Sequence, residues 1–569
     1  MIAISATGLL RTFSEAGVLG LADCHLARTL ATLSGDDSPL VGLAAALTMR
    51  AWRTGSPCLD VRQADALGAD AEAETTPDVA GLPWPEPGAW LTALRASPLV
   101  GQGGDHRPLC LDGHRLYLGR TWHDQTTVVA GLAQRWRAAP PTPPARATGD
   151  DVTDAVLSQW THVLTGGPGS GKTTAIARLV EQVRGLPGLE NIAVAAPTGK
   201  AAARLAQALG PQAPRPTTLH RLLGARGPGR GFRHHAGHPL PASLVIVDEL
   251  SMVSLPLMAA LLAALRPNTR LLLVGDPDQL ASVEAGAVLA DLVAAQVTAS
   301  AHSDAPLVTR LTHVWRHGGA LAELSLAAAA GDAEAALAIL GRGDETVQLI
   351  DRDAGQLDWP DLPQVAATLR DSAATARRAA EAGDAATALR DLDAHRLLCA
   401  HRQGPYGVST WARRAAGLTT PPGRRADDWW PGRAVLATAT APDLGVVSGD
   451  QGIVVATPGG PRLAFGQDSG PRLLPVEAVP GLAGLDAMTV HKAQGSEFQA
   501  VTVILPPTES PLLIRPLLYT AMTRARQRLT IVGTSNQLRQ GLTTAPHRTS
   551  GLAEALRKHT VDDTAGIGH

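Results

Sequence analysis

"HVLTGGPGSGKTTAIARLVEQV", residues 162–183, decides the fold. An apolar run breaks into Gly166-x4-Gly171-Lys172-Thr173, and a helical pattern follows at once. Strand, glycine-rich loop and helix, in that order, make a phosphate-binding P-loop. The glycines let backbone N–H groups wrap a β-phosphate, and the helix N-terminus adds positive potential. Gly166, Gly167, Pro168, Gly169, Ser170, Gly171, Lys172, Thr173 and Thr174 are therefore the candidate nucleotide contacts. Lys172 is suited to reach the β- and γ-phosphates, and the Thr173 hydroxyl to ligate Mg²⁺, so ATP and Mg²⁺ are the expected cofactors.

The same alternation continues outward. "NIAVAAP" (191–197), "SLVIVDE" (243–249) and "RLLLVGD" (270–276) are short β-type runs separated by helical stretches. That pattern predicts βαβ units around a parallel sheet, an α/β fold. A second such region ends in "AVTVILP" (500–506) and "RLTIVGT" (528–534). Asp248 and Glu249 fall at the end of one apolar run. Beside a P-loop, such a pair suits Mg²⁺ (Asp248, through water) and activation of the attacking water (Glu249); taken alone it would as readily cap the next helix. Gln279, in "GDPDQL", is an uncharged side chain able to bridge a γ-phosphate or its water, although by itself that stretch reads as a turn.

Length and composition limit the rest. At 569 residues the chain exceeds one core, and 45% apolar with 18% charged residues is ordinary for a globular protein. No apolar run is long enough to span a bilayer, and the N-terminus lacks a basic region before its apolar stretch, so no membrane partner and no signal peptide are expected. Four scattered cysteines without a C-x-x-C pair argue against zinc, iron–sulfur and disulfide frameworks, and fit a reducing cytoplasm. Net charge is −2, so any nucleic-acid surface must be local. Of 50 Lys and Arg residues only four are lysine, and Lys172, Lys200 and Lys492 lie inside motifs. A compact ammonium is wanted there, where a planar fork would not substitute.

Prolines 140, 141, 143 and 144 predict a stiff linker. The expected domains are a mainly helical docking domain at 1–139, a linker at 140–150, a first sheet domain at 151–314 and a second at 315–569. Within the second, residues 425–484 have short apolar runs punctuated by Gly, Pro and Asp, as in a small inserted β-barrel. Residues 319–390 are Ala-rich and read as helical.

Together with "APTGKAAARL" (196–205), "TTLHRLL" (217–223), "MTVHKAQGSEF" (488–498) and "LLYTAMTRARQRL" (517–529), these pieces resemble the superfamily 1 helicases. The resemblance narrows to the RecD family of RecBCD-type helicase–nucleases (exonuclease V) through "FRHHAGHPLPASLVIVDELSMVSLPLM" (232–258), "GDPDQLASVEAGAVLADL" (275–292) and "YTAMTRAR" (519–526). "LVGLAAALTMR" (40–50) and "HRLYLGRTWHDQ" (114–125) extend it toward the N-terminus. It implies two RecA-like motor domains with ATP between them, and an SH3-like insertion in the second. It assigns arginine-finger roles to Arg524 and Arg316, and nucleotide contacts to Gly495 and Glu497. It places Thr198, Lys200, His220, Thr489, His491 and Lys492 on a DNA backbone. It implies 5′→3′ movement on single-stranded DNA, a duplex-end DNA substrate, and RecB-like and RecC-like partner subunits.

Two other readings stay open: a self-sufficient helicase of the same mechanism, and a scaffolding subunit whose motor is idle. The basic loop "RGPGRGFRHHAGH" (226–238) is a further candidate for the strand, and its histidines lack the carboxylate or cysteine companions of a metal site. Trp429, Trp430 and Phe498 are the candidate stacking aromatics, with a core role as the alternative for each. No second acidic cluster suggests a nuclease in this chain.

Overall fold

A computed structural model describes residues 6–66, 79, 81–138, 148–227, 229–295, 307–312, 319–467 and 470–561. The proline linker, apart from residues 148–150, and Arg316 lie outside these residues.

The N-terminal part begins with helices α1 (Gly8–Glu15), α2 (Leu21–Ser34) and α3 (Pro39–Arg53). Strand β1 (Cys58–Asp60), helix α4 (Pro87–Ala96), and strands β2 (Val100–Gly101), β3 (Leu109–Asp112) and β4 (Arg115–Leu118) follow. Helix α3 is central: Val41 and Leu43 through Thr48 are all buried, because α1, α2 and α4 surround it. Trp90 on α4 fixes its own crossing by donating Nε1–H to the Leu40 carbonyl at 2.8 Å. The strands form a sheet in the order β1-β4-β3-β2, which the helical reading of this region did not contain. Runs of two to four residues are too short to show a period of two.

Helix α5 (Gly119–Arg137) ends this part but belongs by packing to the next. Its Val128, Val129, Leu132 and Trp136 enter the same core as Leu257, Met258 and Leu261. Gly131 permits the approach, since a Cβ there would sit 3.3 Å from Leu262 Cβ.

The first motor lobe runs α6 (Asp151–Ser158), β5 (Thr161–Gly166), α7 (Lys172–Val183), β6 (Ile192–Ala196) and α8 (Gly199–Leu209). It continues with β7 (Thr217–Thr218), α9 (Leu219–Leu223), β8 (Leu244–Val247), α10 (Leu255–Ala264), β9 (Arg270–Gly275), α11 (Val288–Ala294) and β10 (Val308–Leu311). Its sheet is parallel throughout, in the order β10-β5-β9-β8-β6-β7. Strands β5 and β8 are buried along their whole length, as expected where helices cover both faces.

The second lobe contains α12 (Ala320–Ala330), α13 (Ala333–Leu340), β11 (Val347–Ile350), α14 (Pro363–Glu381), α15 (Ala385–Asp391), β12 (His395–Cys399) and α16 (Val408–Thr419). The insertion strands follow: β13 (Ala434–Ala437), β14 (Gln451–Val455), β15 (Arg462–Gln467), β16 (Gly470–Pro475) and β17 (Leu482–Gly484). Then come β18 (Met488–Thr489), β19 (Phe498–Ile504), α17 (Arg515–Met522), β20 (Ala525–Val532) and α18 (Ser535–Thr543). The main sheet is again parallel, in the order β11-β20-β19-β12-β18. The insertion is a separate antiparallel sheet, β16-β15-β14-β13-β17, around Val435, Val454, Leu463 and Phe465. The Ala-rich stretch 319–390 is helical at both ends, in α12–α13 and α14–α15, but residues 341–362 between them are turns and short 3-10 segments around β11, which pairs at the sheet edge with Val347 buried.

The last helix, α19 (Leu552–Val561), leaves the second lobe. Its Leu552 and Leu556 are buried in the first-lobe core, and Glu554 pairs with Arg115 at 2.6 Å. Residues 315–569 therefore do not pack as one unit.

Candidate functional site

The motif loops leave the carboxyl ends of parallel strands, where α/β sheets bind ligands. The P-loop follows β5, Thr198–Lys200 follows β6, Asp248–Glu249 follows β8, and Asp276–Gln279 follows β9. The P-loop, the acidic pair and Gln279 border a cavity of about 870 Å³ between the two lobes, while Thr198, Lys200 and Asp276 stand outside its lining. Pro168 through Thr174, Asp248, Glu249 and Gln279 line it from the first lobe, Glu497 and Arg524 from the second.

Gly169 and Gly171 take left-handed φ values of 72° and 92°, which only glycine accepts freely, and so curl the loop. The Lys172 ammonium donates to the carbonyls of Gly166 at 2.5 Å and Gly167 at 2.9 Å. The buried Ser170 hydroxyl has no hydrogen-bond partner among the described residues. Glu249 is one of two described non-glycine residues with positive φ, at 54°, a sparsely populated conformation of the kind found at active sites. Its N–H donates to Asp248 Oδ1 at 2.9 Å. Burial, and then the Glu249 charge, push the Asp248 carboxyl above its ordinary range; a nearby cation favours the charged form.

Arg524 is 2% exposed and is held at the cavity wall by neutral acceptors, two carbonyls and the Thr523 hydroxyl. Its Nε donates to Thr520 O and one terminal nitrogen to Ser496 O, both at 3.0 Å. Gln279 donates Nε2–H to Asp276 Oδ2 at 3.0 Å. Glu497 lines the cavity, but Arg204 and Arg526 both pair with its carboxylate. Gly166, Gly167 and Gly495 do not line it; a Cβ on Gly495 would lie 3.3 Å from the Thr198 hydroxyl across the seam.

The strand-contact candidates divide. His220 and Lys492 are exposed. Thr198 caps α8 by accepting from Ala201 N. Lys200 reaches across to Ser496 Oγ at 3.0 Å, with Phe498 under its ammonium, and burial draws that ammonium down to about 8. Thr489 is buried and accepts from Lys492 N. Burial lowers the His491 imidazole to about 4, so the ring is neutral at pH 7. Among the aromatics, Phe498 and Trp430 are buried, and Arg433 covers the ring of Trp429 at 4.4 Å.

Sequence reasoning missed several lining groups. Gly149–Val152, Arg178, Arg204 and Thr309–Thr312 also border the cavity. Arg178 is one and a half turns beyond Lys172 on α7, but that spacing is not distinctive. Tyr519 and Asp276, which meet beside the cavity, sit inside quoted motifs.

A P-loop, an acidic pair, a glutamine and an arginine from a second parallel lobe define a two-lobed ATP-driven motor. Residues 15–117 match the RecBCD enzyme subunit RecD, N-terminal domain; residues 150–351 match an AAA domain and 484–532 a UvrD-like helicase C-terminal domain. The RecBCD enzyme subunit RecD of Mycobacterium tuberculosis is 42% identical over 586 residues, covering 98% of each chain. That of Mycolicibacterium smegmatis is 42% identical over 584 residues, covering 96% of this chain and 99% of its own. The ATP-dependent RecD2 DNA helicase of Deinococcus radiodurans is 34% identical over 456 residues, 75% of this chain and 57% of its own. The chain belongs to the RecD family, and it is an ATP-dependent DNA helicase. A solved Bacteroides Pif1 bound to ssDNA aligns at 17% identity and a TM-score of 0.39, covering 69% of this chain and 94% of its own, a likeness too slight to add to this.

Proposed function

We propose that this chain is the 5′→3′ single-strand motor of a RecBCD-type complex, acting from duplex ends in the cytoplasm beside RecB-like and RecC-like subunits. The observation that carries the motor reading is the shared cavity: Lys172 and Arg524 come from different lobes and line one space. Among the described residues no helix is long and apolar enough to cross a membrane.

In this reading the P-loop amides and Lys172 bind the β- and γ-phosphates, Glu249 orients and deprotonates the attacking water, and Gln279 contacts the γ-phosphate. Arg524 offsets charge on the transferred phosphoryl group, and closure of the lobes brings it in. Thr173 and Asp248 suit Mg²⁺: both offer oxygen ligands and both line the shared cavity. When bound, the ion would neutralise charge on the phosphate oxygens. The seam formed by Thr198, Lys200, Gly495 and Ser496 supports gearing between nucleotide and strand, because motifs assigned to the strand meet there across the lobes. The antiparallel insertion is read as SH3-like. The N-terminal domain is read as the docking part.

Single-stranded DNA is expected to raise the ATPase rate of the purified chain by about tenfold or more, the closure it favours completing the site. A steady-state assay with and without an oligonucleotide checks this, and a rate indifferent to DNA would favour the scaffolding reading. Co-expression with the two partners followed by size exclusion separates the complex from a self-sufficient monomer.

A further inference from the structure

We infer that Tyr519 is a positioning residue for ATP hydrolysis: its hydroxyl, donated across the cleft to Asp276, frees the Gln279 amide to serve the γ-phosphate. The inference rests on the reading of Gln279 proposed above.

Asp276 directly follows β9 and is fully buried. Its Oδ1 accepts from Asp278 N at 3.1 Å. Its Oδ2 accepts from two side chains at once, Gln279 Nε2 at 3.0 Å and Tyr519 Oη at 2.9 Å. All three donors are neutral, and the Tyr519 hydroxyl comes from the other lobe. A buried carboxylate oxygen deprived of a donor is costly, so Asp276 holds whatever donors remain. With Tyr519 in place, Gln279 shares that oxygen and can turn toward phosphate without stripping it. Without the hydroxyl, Oδ2 would depend on the Gln279 amide, and the amide would be withheld from the reaction.

The placement of Tyr519 fits this task. It lies on α17, and Arg524, two residues past the end of that helix, donates Nε–H back to the α17 carbonyl of Thr520 at 3.0 Å, so a shift of the helix moves the arginine and the tyrosine together. Its hydroxyl also abuts the P-loop, 3.2 Å from where a Cβ on Gly167 would stand. The next residue, Thr520, accepts from Leu280 N at 2.8 Å, and Gln494 donates to Leu280 O at 2.6 Å. The Gln279 loop is thus gripped by the second lobe at three points. Its conformation follows lobe closure.

The test is steady-state ATP hydrolysis by the full chain with saturating single-stranded DNA. Tyr519→Phe is expected to lower kcat about tenfold, the worth of one hydrogen bond to a charged group, with KM for ATP within about twofold. A merely structural role would lower the melting temperature and disturb KM as well. In a Gln279→Ala background, Tyr519→Phe should change kcat by less than about twofold, because the two act through one amide. A native kcat in Tyr519→Phe, or a full tenfold loss added to that of Gln279→Ala, overturns the inference. A native kcat in Gln279→Ala would instead strike the reading of Gln279 itself. Should Tyr519→Phe fail to fold, Tyr519→Met removes the same hydroxyl with a side chain that fills irregular space, with the same kcat fall expected and a native kcat overturning the inference.

Discussion

Arg524→Ala is expected to reduce DNA-stimulated ATP turnover by on the order of 10³–10⁵, the range over which arginine fingers act in phosphoryl transfer. The size follows from what the guanidinium touches. Its partners are the Thr520 and Ser496 carbonyls and the Thr523 hydroxyl, so its hydrogen bonds leave the positive charge uncompensated at the cavity wall. Charge developing on the phosphoryl oxygens in a closed, water-poor cleft is where that cation is most effective. Lysine at this position should recover little, since an ammonium lacks the planar fork that holds the Ser496 and Thr520 carbonyls while facing phosphate. Single-turnover kinetics with saturating ATP check this, and thermal melting confirms that the fold is kept.

Lys172→Ala is the second large effect, a loss of about 10²–10³ in kcat by analogy with removing one preorganised donor from a developing charge. Among the described residues the ammonium bonds its own loop alone, through the Gly166 and Gly167 carbonyls, so its removal should leave the core unaffected. ATP binding should weaken as well, because the lysine meets the phosphates in the ground state. Oligonucleotide binding should persist, since His220 and Lys492 are exposed and contribute nothing to the cavity. Fluorescence anisotropy of a labelled strand against the ATPase rate separates the two properties.

The first-lobe motifs of the cleft were legible because they sit at strand tips, and a strand tip is a local signal. "SLVIVDE" is four buried residues followed by two carboxylates, and β8 with Asp248 and Glu249 is what that pattern folds into. The insertion was legible for a similar reason: Gly, Pro and Asp punctuate short apolar runs, and those runs pair with their sequence neighbours. The scarcity of lysine was informative too. Lys172 directs its ammonium at two adjacent carbonyls of its own loop, and Lys200 directs its ammonium at the Ser496 hydroxyl across the lobes.

Partner choice over long distances was not legible. The apolar stripe of α5 says that it packs, but not that it packs on α10 rather than on its own N-terminal domain. Likewise Leu552 and Leu556 mark a buried face without saying that the chain returns to the first lobe. That Lys200 meets Ser496 was not legible either, because the two lie 296 residues apart and on different lobes. Tyr519 was overlooked for the same reason, its acceptor lying 243 residues earlier.

The central claim is that one nucleotide is held by both lobes, with Arg524 meeting charge that exists only as the phosphoryl group moves. Binding of MgADP with fluoroaluminate, a mimic of that state, tests it directly in the native chain and in Arg524→Ala. The account predicts that the variant loses at least about a hundredfold in affinity for the mimic while MgADP alone binds within about threefold of native. Equal affinity of both proteins for the mimic would contradict it.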